Sequence, residues 1–296
     1  MCDHCNTCFT TGGATVQEHY LLPAHYKSSD AVERLILWIK KQVGAEEDLP
    51  LHLQIDSTQL GYYPFWHIEI QGSTTYAGLG MEARYYDSDG TNEFKGIQEY
   101  TQPKQGSIER QFPLTFPASK QIPAQLLNYS FPTQSKKYFS QSYAKEYGGE
   151  IYPGNADEVT ITNLAKQEAQ NRLTTLILTN VREITSRNDS INVTSVYYLH
   201  APVWSIRYRF QSKAYQALVD ATTARVIQAT YPVSLEYRAQ TGALAAGHFA
   251  VGAVLLLLFL GADPSVALTL GGGLLAFGAV LLLRALSLGR GKEAEE

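Results

Sequence analysis

The sequence is poor in cysteine and methionine, with three of the first and two of the second among 296 residues. Cys2, Cys5 and Cys8 all fall at the N-terminal end, so no disulfide framework staples the body and its fold must rest on an apolar core. A large excess of either charge is missing as well. With 24 basic and 28 acidic residues the net charge is −4, which gives no basic footprint and argues against a nucleic-acid partner. Residues 1–12 hold no apolar run, so a signal peptide is not expected there.

Catalytic patterns are thin too. Gly78 to Ala83 match GxGxxA, but Arg84, Tyr85 and Tyr86 read as strand rather than helix, and a phosphate would then lack a helix dipole. Asp87, Asp89 and Gly90 imitate the beginning of a calcium loop, yet its distal glutamate is replaced by Gln98. His25, His52, His67 and His200 are scattered, with none in HExxH or beside a Ser or Cys nucleophile. A protein that is not an enzyme is the expectation.

Long hydrophobic runs are present, both near the C-terminus. Gly242 to Ala262 carries no charge and is long enough to cross a hydrocarbon core of about 30 Å as a helix. Asp263, Pro264 and Ser265 then make a turn, since Pro264 cannot continue a helix and Asp263 or Ser265 can cap the next. A second uncharged run, Val266 to Leu283, follows. The expected hairpin occupies residues 242–288, with a charged tail at 289–296. Arg238 precedes it, Arg284, Arg290 and Lys292 follow it, and the turn carries only Asp263. The positive-inside rule therefore places the body and both termini in the cytoplasm. Ala243 and Gly247, with Gly272 and Ala276, supply small residues at four-residue spacing for the helix contact.

The body carries one pattern twice. Val32, Leu35, Ile36, Ile39 and Val43 recur at helical spacing after the caps Ser29 or Asp30 and before Gly44, as do Ile161, Leu164, Ala165, Ala169, Leu173, Leu176 and Ile177. Each helix precedes a Pro-x-Trp strand. The first runs from Tyr62 to Ile70, with a turn near Gly72 and a return through Thr74 to Tyr76. The second runs from His200 to Tyr208, with a turn at Ser212 and a return from Tyr215 to Val219. Further strand signals lie around Phe94 and Ile108, and Pro113 to Pro132 is punctuated by proline as an irregular connection. The fold class expected is α+β: two related antiparallel-sheet-plus-helix units at 18–116 and 158–238, an irregular connection at 117–157, and a two-helix transmembrane hairpin.

Residues 1–17, with cysteines at CxxCxxC spacing, read as a metal knuckle. Cys2, Cys5 and Cys8 need a fourth ligand for zinc, which His4 or His19 supplies. The knuckle, Pro64-Phe65-Trp66, Pro117 to Lys120, Ala201-Pro202-Val203-Trp204 and Tyr231-Pro232 before a membrane tail together resemble a family of prokaryotic zinc-ribbon membrane proteins, often loosely labelled helicase-like or primosomal. The stretch Tyr215 to Ile227 also resembles the end of a PepSY-type unit with its Asp-x-x-Thr-Gly turn. Here Ala224 stands where that pattern has glycine, at a cost of roughly 1 kcal/mol if the position takes a positive φ.

The resemblance implies a non-catalytic membrane adaptor or scaffold, with membrane lipid and other membrane-associated proteins of the SPFH/stomatin or phage-shock type as partners, in homo- or hetero-oligomers. Two other readings stand beside it: a zinc-ribbon nucleic-acid-binding or transcription-linked protein, and an extracytoplasmic PepSY-like module that restrains a protease or senses the envelope. The sequons at Asn128, Asn188 and Asn192 favour the last, since they matter only outside the cell.

Overall fold

The computed structural model describes residues 18–46, 48–85, 97–261, 263–286 and 289–291. In chain order the elements are β1 (His19–Leu21), α1 (Ser28–Lys40), α2 (Leu49–His52), β2 (Gln54–Tyr85), β3 (Ile97–Pro117), β4 (Lys137–Tyr138), α3 (Gln141–Glu146), β5 (Glu150–Ile151), α4 (Glu158–Leu178), β6 (Glu183–Phe210), β7 (Lys213–Asp220), β8 (Val226–Tyr231), α5 (Leu235–Phe259), α6 (Pro264–Leu286) and β9 (Gly289–Gly291). The class is α+β with a C-terminal pair of apolar helices, as the sequence leads one to expect. The described residues form two compact units. One holds the residues up to Leu22 with Tyr63–Ser142 and Ile151–Ala201, and the other holds Pro23–Tyr62, Tyr143–Glu150 and the chain from Pro202 onward.

In the first unit, Asp157 caps α4 by accepting from the Thr160 backbone N–H at 2.9 Å. Ile161, Ala165, Ala169, Leu173 and Ile177 recur every four residues and are buried. This stripe packs on Trp66, Ile68 and Ile70 of β2 and on Phe112 and Leu114 of β3, each such large side chain contributing about 1.5–3 kcal/mol by leaving water. β2 and β3 pair without interruption from Phe65↔Pro117 to Tyr85↔Ile97.

Two expectations are corrected here. There is no turn near Gly72, which pairs with Arg110 inside the ladder. A Cβ on Gly72 would lie 2.9 Å from the Phe112 ring and 3.3 Å from Leu173, so this glycine serves close packing under α4 and not a change of direction. Pro113 likewise belongs to β3 and opposes Glu69. Pro103, Lys104, Arg110 and Pro113 on this outermost strand are devices that keep an open edge from pairing with another chain. The calcium-loop imitation at Asp87, Asp89 and Gly90 and the strand signal around Phe94 lie outside the described residues.

In the second unit, Ala31, Leu35, Trp38 and Ile39 form the buried stripe of α1. Val43, expected on that stripe, lies beyond the helix and is 65% exposed. On β6, Trp204, Ile206, Tyr208 and Phe210 are buried while Arg207 and Arg209 face solvent, the period of two that the sequence carries. The expected turn at Ser212 is present as a two-residue hairpin loop, with Phe210 opposite Lys213 and positive φ at both Gln211 (48°) and Ser212 (66°).

The units repeat one pattern of hydrogen bonds. Trp66 Nε1 donates to the Ala156 carbonyl at 3.0 Å, the Ala118 N–H donates to Pro64 O at 3.0 Å, and Phe65 opposes Pro117. Correspondingly, Trp204 Nε1 donates to Tyr26 O at 3.0 Å, the Ala221 N–H donates to Pro202 O at 3.0 Å, and Val203 opposes Asp220. Ala156 and Tyr26 both stand two residues before a helix, α4 and α1 respectively. Each unit thus takes its helix from one half of the sequence and its long hairpin from the other, and the compact units interleave along the chain.

α5 and α6 pack as a hairpin. Asp263 caps α6 by accepting from the Ser265 and Val266 N–H groups. The expected small-residue contact is corrected: Gly247 and Gly272 have open space around them, and Ala243 and Ala276 are exposed. The close approach falls instead at Gly252 and Gly271, where a Cβ on either would lie 2.9 Å from the other's carbonyl oxygen, and at Gly278, which meets the Ala245 carbonyl at 3.2 Å. A π-helical stretch, Ala267–Gly272, alters the phase of α6, and a sequence phased at 3.6 residues per turn points to the wrong face.

Candidate functional site

Two places in the molecule concentrate unusual chemistry, and the first is the apolar hairpin. α5 and α6 have mean hydropathies of 2.1 and 2.3 over their most apolar windows, of which only 11% and 17% is buried. Leu257, Leu258, Leu268 and Leu283 are all more than 60% exposed. Water would leave this surface unsatisfied, whereas lipid covers it at no cost. The two helices are long and apolar enough to cross a membrane.

The ends of the hairpin are fastened to the sheet of the second unit. Only Pro232, Val233 and Ser234 separate β8 from α5. Ser234 caps α5 by accepting from the Tyr237 N–H at 3.2 Å. On the return side, β9 pairs with β8, Ala229 opposite Gly291 and Tyr231 opposite Gly289. Arg238 Nη1 donates to the Ala285 carbonyl at 3.2 Å across the mouth of the hairpin. Both ends of the pair therefore lie on one side, beside β8.

The second place is a histidine and aromatic cluster in the first unit, where β1 lies parallel to β6 with His19 opposite Tyr198 and Leu21 opposite His200. His19 Nε2 and His200 Nδ1 are 2.9 Å apart, and His200 Nε2 is 3.2 Å from the Tyr152 carbonyl. A carbonyl only accepts, so His200 carries its proton on Nε2 and His19 donates to its free Nδ1. His19 stacks on Phe139 at 3.9 Å. Burial pushes the His200 pKa down to about 4. Burial, followed by the charge His200 would carry, pushes His19 down to about 2. Both rings are neutral at physiological pH.

A third ring, His67, bonds through Nδ1 to Thr115 Oγ1 at 2.9 Å and stacks on Tyr197. Burial first, and then the charge of Lys136, lowers it to about 4. Lys136 Nζ itself sits 3.9 Å from the Tyr197 ring centre and 5.2 Å from that of Tyr20. The three imidazoles are held by hydrogen bonds, while the buried Tyr197 hydroxyl has no hydrogen-bond partner among the described residues.

Of the expected zinc ligands, Cys2, Cys5, Cys8 and His4 lie outside the described residues. His19 is described, and its Nε2 is engaged by His200. Among the described residues no three His, Cys, Asp or Glu side chains gather as a metal site. The GxGxxA stretch is strand, and a Cβ on Gly78 would strike the Glu183 carbonyl, so this glycine admits backbone and not phosphate. Sequence reasoning missed the His19–His200 pair: 181 residues separate them, and no local pattern marks either. No family model, curated protein or solved structure matches this chain.

Proposed function

We propose that the protein is a non-catalytic adaptor anchored in a bilayer by α5 and α6, with its folded body on the cytoplasmic side as a docking surface for other membrane-associated proteins. The observation that carries this reading is the pairing of β9 with β8 across the mouth of an exposed apolar hairpin. It leaves both hairpin ends on the body's side, and Arg238 and Arg284 stand there, which favours the cytoplasm. The uncovered face of β2, β3 and β6 in the first unit is polar and its charges are acidic, exposing Glu69, Thr75, Glu109, Gln111, Asn192 and Thr194. Such a face suits a reversible protein contact better than nucleic acid. The neutral, hydrogen-bonded histidines support a structural role for the His19 cluster.

A second reading, with the body outside the cell, draws on Asn128, Asn188 and Asn192, all of which are exposed. Thiol labelling of intact cells with an impermeant reagent decides between them, using Ser265→Cys in the turn and Tyr138→Cys on the body in a background with Cys2, Cys5 and Cys8 changed to Ser. The proposal expects Ser265→Cys to react in intact cells and Tyr138→Cys only after permeabilisation. The opposite pattern selects the second reading. Recovery of the protein in the soluble fraction without detergent overturns both.

A further inference from the structure

The two sides of the sheet in the first unit end differently. β3, the outermost strand on one side, carries Pro103, Lys104, Arg110 and Pro113, which guard it against another chain. On the other side stands the first half of β6, whose partner strands are β2, β7 and β1. β2 runs along it within this unit, where the Arg182 N–H donates to Leu79 O at 2.7 Å and Thr194 Oγ1 donates to Glu69 O at 3.0 Å. β1 pairs only with Tyr198 to His200, and β7 only from Val203 onward. Among the described residues, no strand covers the flank of β6 away from β2 between Glu183 and Tyr197. That stretch holds no proline, lysine or glycine, so it lacks the guards of β3.

Backbone groups on that flank are aimed outward. Tyr198 belongs to the core side of the sheet and sends its N–H to Glu18 O at 2.8 Å, away from β2. Residues on one face of a strand all point their N–H and C=O groups to the same edge. Arg187, Ile191 and Val193 lie on the core side too, Arg187 through its bonds to Thr174 Oγ1 and Gln170 O of α4 and the other two by packing on the core. With Asp189 between them, these residues turn their backbone groups to the open flank. Ile191 and Val193 remain only half-buried there.

We propose that this flank of β6 pairs antiparallel with the same flank of a second copy of the chain, joining two sheets about a two-fold axis at Asn188. Charge selects both the occupant and the register. Within each copy Arg187 and Asp189 form an ion pair, with Nε 2.8 Å from Oδ1. A lone charge on the core side of an edge strand resists a partner, but here the two signs cancel. A two-fold ladder centred on Asn188 sets Arg187 opposite Asp189 of the second copy and Asp189 opposite its Arg187, four charges of alternating sign. Centred on Arg187 or on Asp189 instead, it sets that residue against its own charge, which is destabilising. No other two-fold register brings the opposite charges together. Such a self-complementary contact closes at two copies. It does not depend on the anchoring reading above.

Disulfide trapping in the full chain tests this, in mild detergent and in the background with Cys2, Cys5 and Cys8 changed to Ser. Asn188 is exposed, so Asn188→Cys leaves the core of each copy untouched. On the axis that position faces its own counterpart in a non-hydrogen-bonded pair, with Cα atoms about 4.5 Å apart, a separation that a disulfide spans. Asn192→Cys, four residues along the same exposed face, is the control, since its two copies stand about 26 Å apart at about 3.3 Å per residue. The expected result is a mass of two chains for the parent by light scattering, a disulfide-linked dimer on mild oxidation of Asn188→Cys, and none from Asn192→Cys. A parent that remains a single chain at tens of micromolar overturns the proposal. So does a two-chain parent in which both variants link equally, neither links, or only Asn192→Cys links, because the contact then lies on another surface.

Discussion

Trp204 donates its indole N–H to the backbone carbonyl of Tyr26 at 3.0 Å, fastening a strand to the residue two places before α1. Trp66 does the same to Ala156 before α4. Replacing either by Phe keeps most of the ring and leaves a half-buried carbonyl without its donor. Trp66→Phe and Trp204→Phe should each lose about 1–3 kcal/mol in denaturant unfolding of the detergent-solubilised protein. Equal costs at the two sites are expected if the repeated bond has a repeated role, and a cost at one alone would dissolve the equivalence.

Ala224 adopts φ 58° in the turn after β7. The buried Asp220 carboxylate braces that turn, accepting from the Thr222 N–H at 2.7 Å and from the Thr223 hydroxyl at 2.8 Å. An alanine in the left-handed region costs roughly 1 kcal/mol that glycine does not incur. Ala224→Gly should therefore raise the melting temperature, although most glycine substitutions lower it. A fall would mean that the buried methyl group matters more than the backbone.

The neutral histidines make stability depend on pH. Folded pKa values of about 4 for His200 and about 2 for His19 lie below the unfolded value of 6.5, so between those limits the unfolded chain binds more protons than the folded one. Stability is full above pH 6.5 and falls as pH drops from there toward 4. His200→Gln, which can still bond to Tyr152, should flatten the slope of melting temperature between pH 7 and pH 4.5. An unchanged slope would move the titration elsewhere.

Gly252 and Gly271 let the two apolar helices touch backbone to backbone. Gly252→Leu should separate the pair and lower its thermal stability in detergent, whereas Gly247→Leu, facing open space, should stay within about 0.5 kcal/mol of the parent. If the two behave alike, the contact lies on another face.

Much of the architecture is written locally. A helix such as α4 repeats its apolar residues every four positions, and the end of β6 alternates Trp204, Ile206, Tyr208 and Phe210 against polar neighbours. Periodicity of that kind survives without knowledge of partners. Gly72 misled because glycine in a strand marks either a bend or a close neighbour, and the neighbour, Phe112, is 40 residues away in the ladder register that pairs Ile70 with it. Gly272 and Ala276 misled because a π-helical stretch rotates α6 out of phase, and Ala243 and Gly247 because α5 meets its partner on the face of Ala245 and Gly252 instead.

By itself the sequence determined the class of the fold, the two apolar spans and the turn at Ser212, because hydrophobic period, run length and turn chemistry are properties of neighbouring residues. Only the tertiary structure decided that α4 packs on β2 and β3 and α1 on β7 and β8, that His19 meets His200, and that Gly44 and Ala45 bond to the chain just ahead of α5. Those are contacts between residues far apart in the chain, chosen by which apolar faces fit one another, and no local pattern encodes that choice.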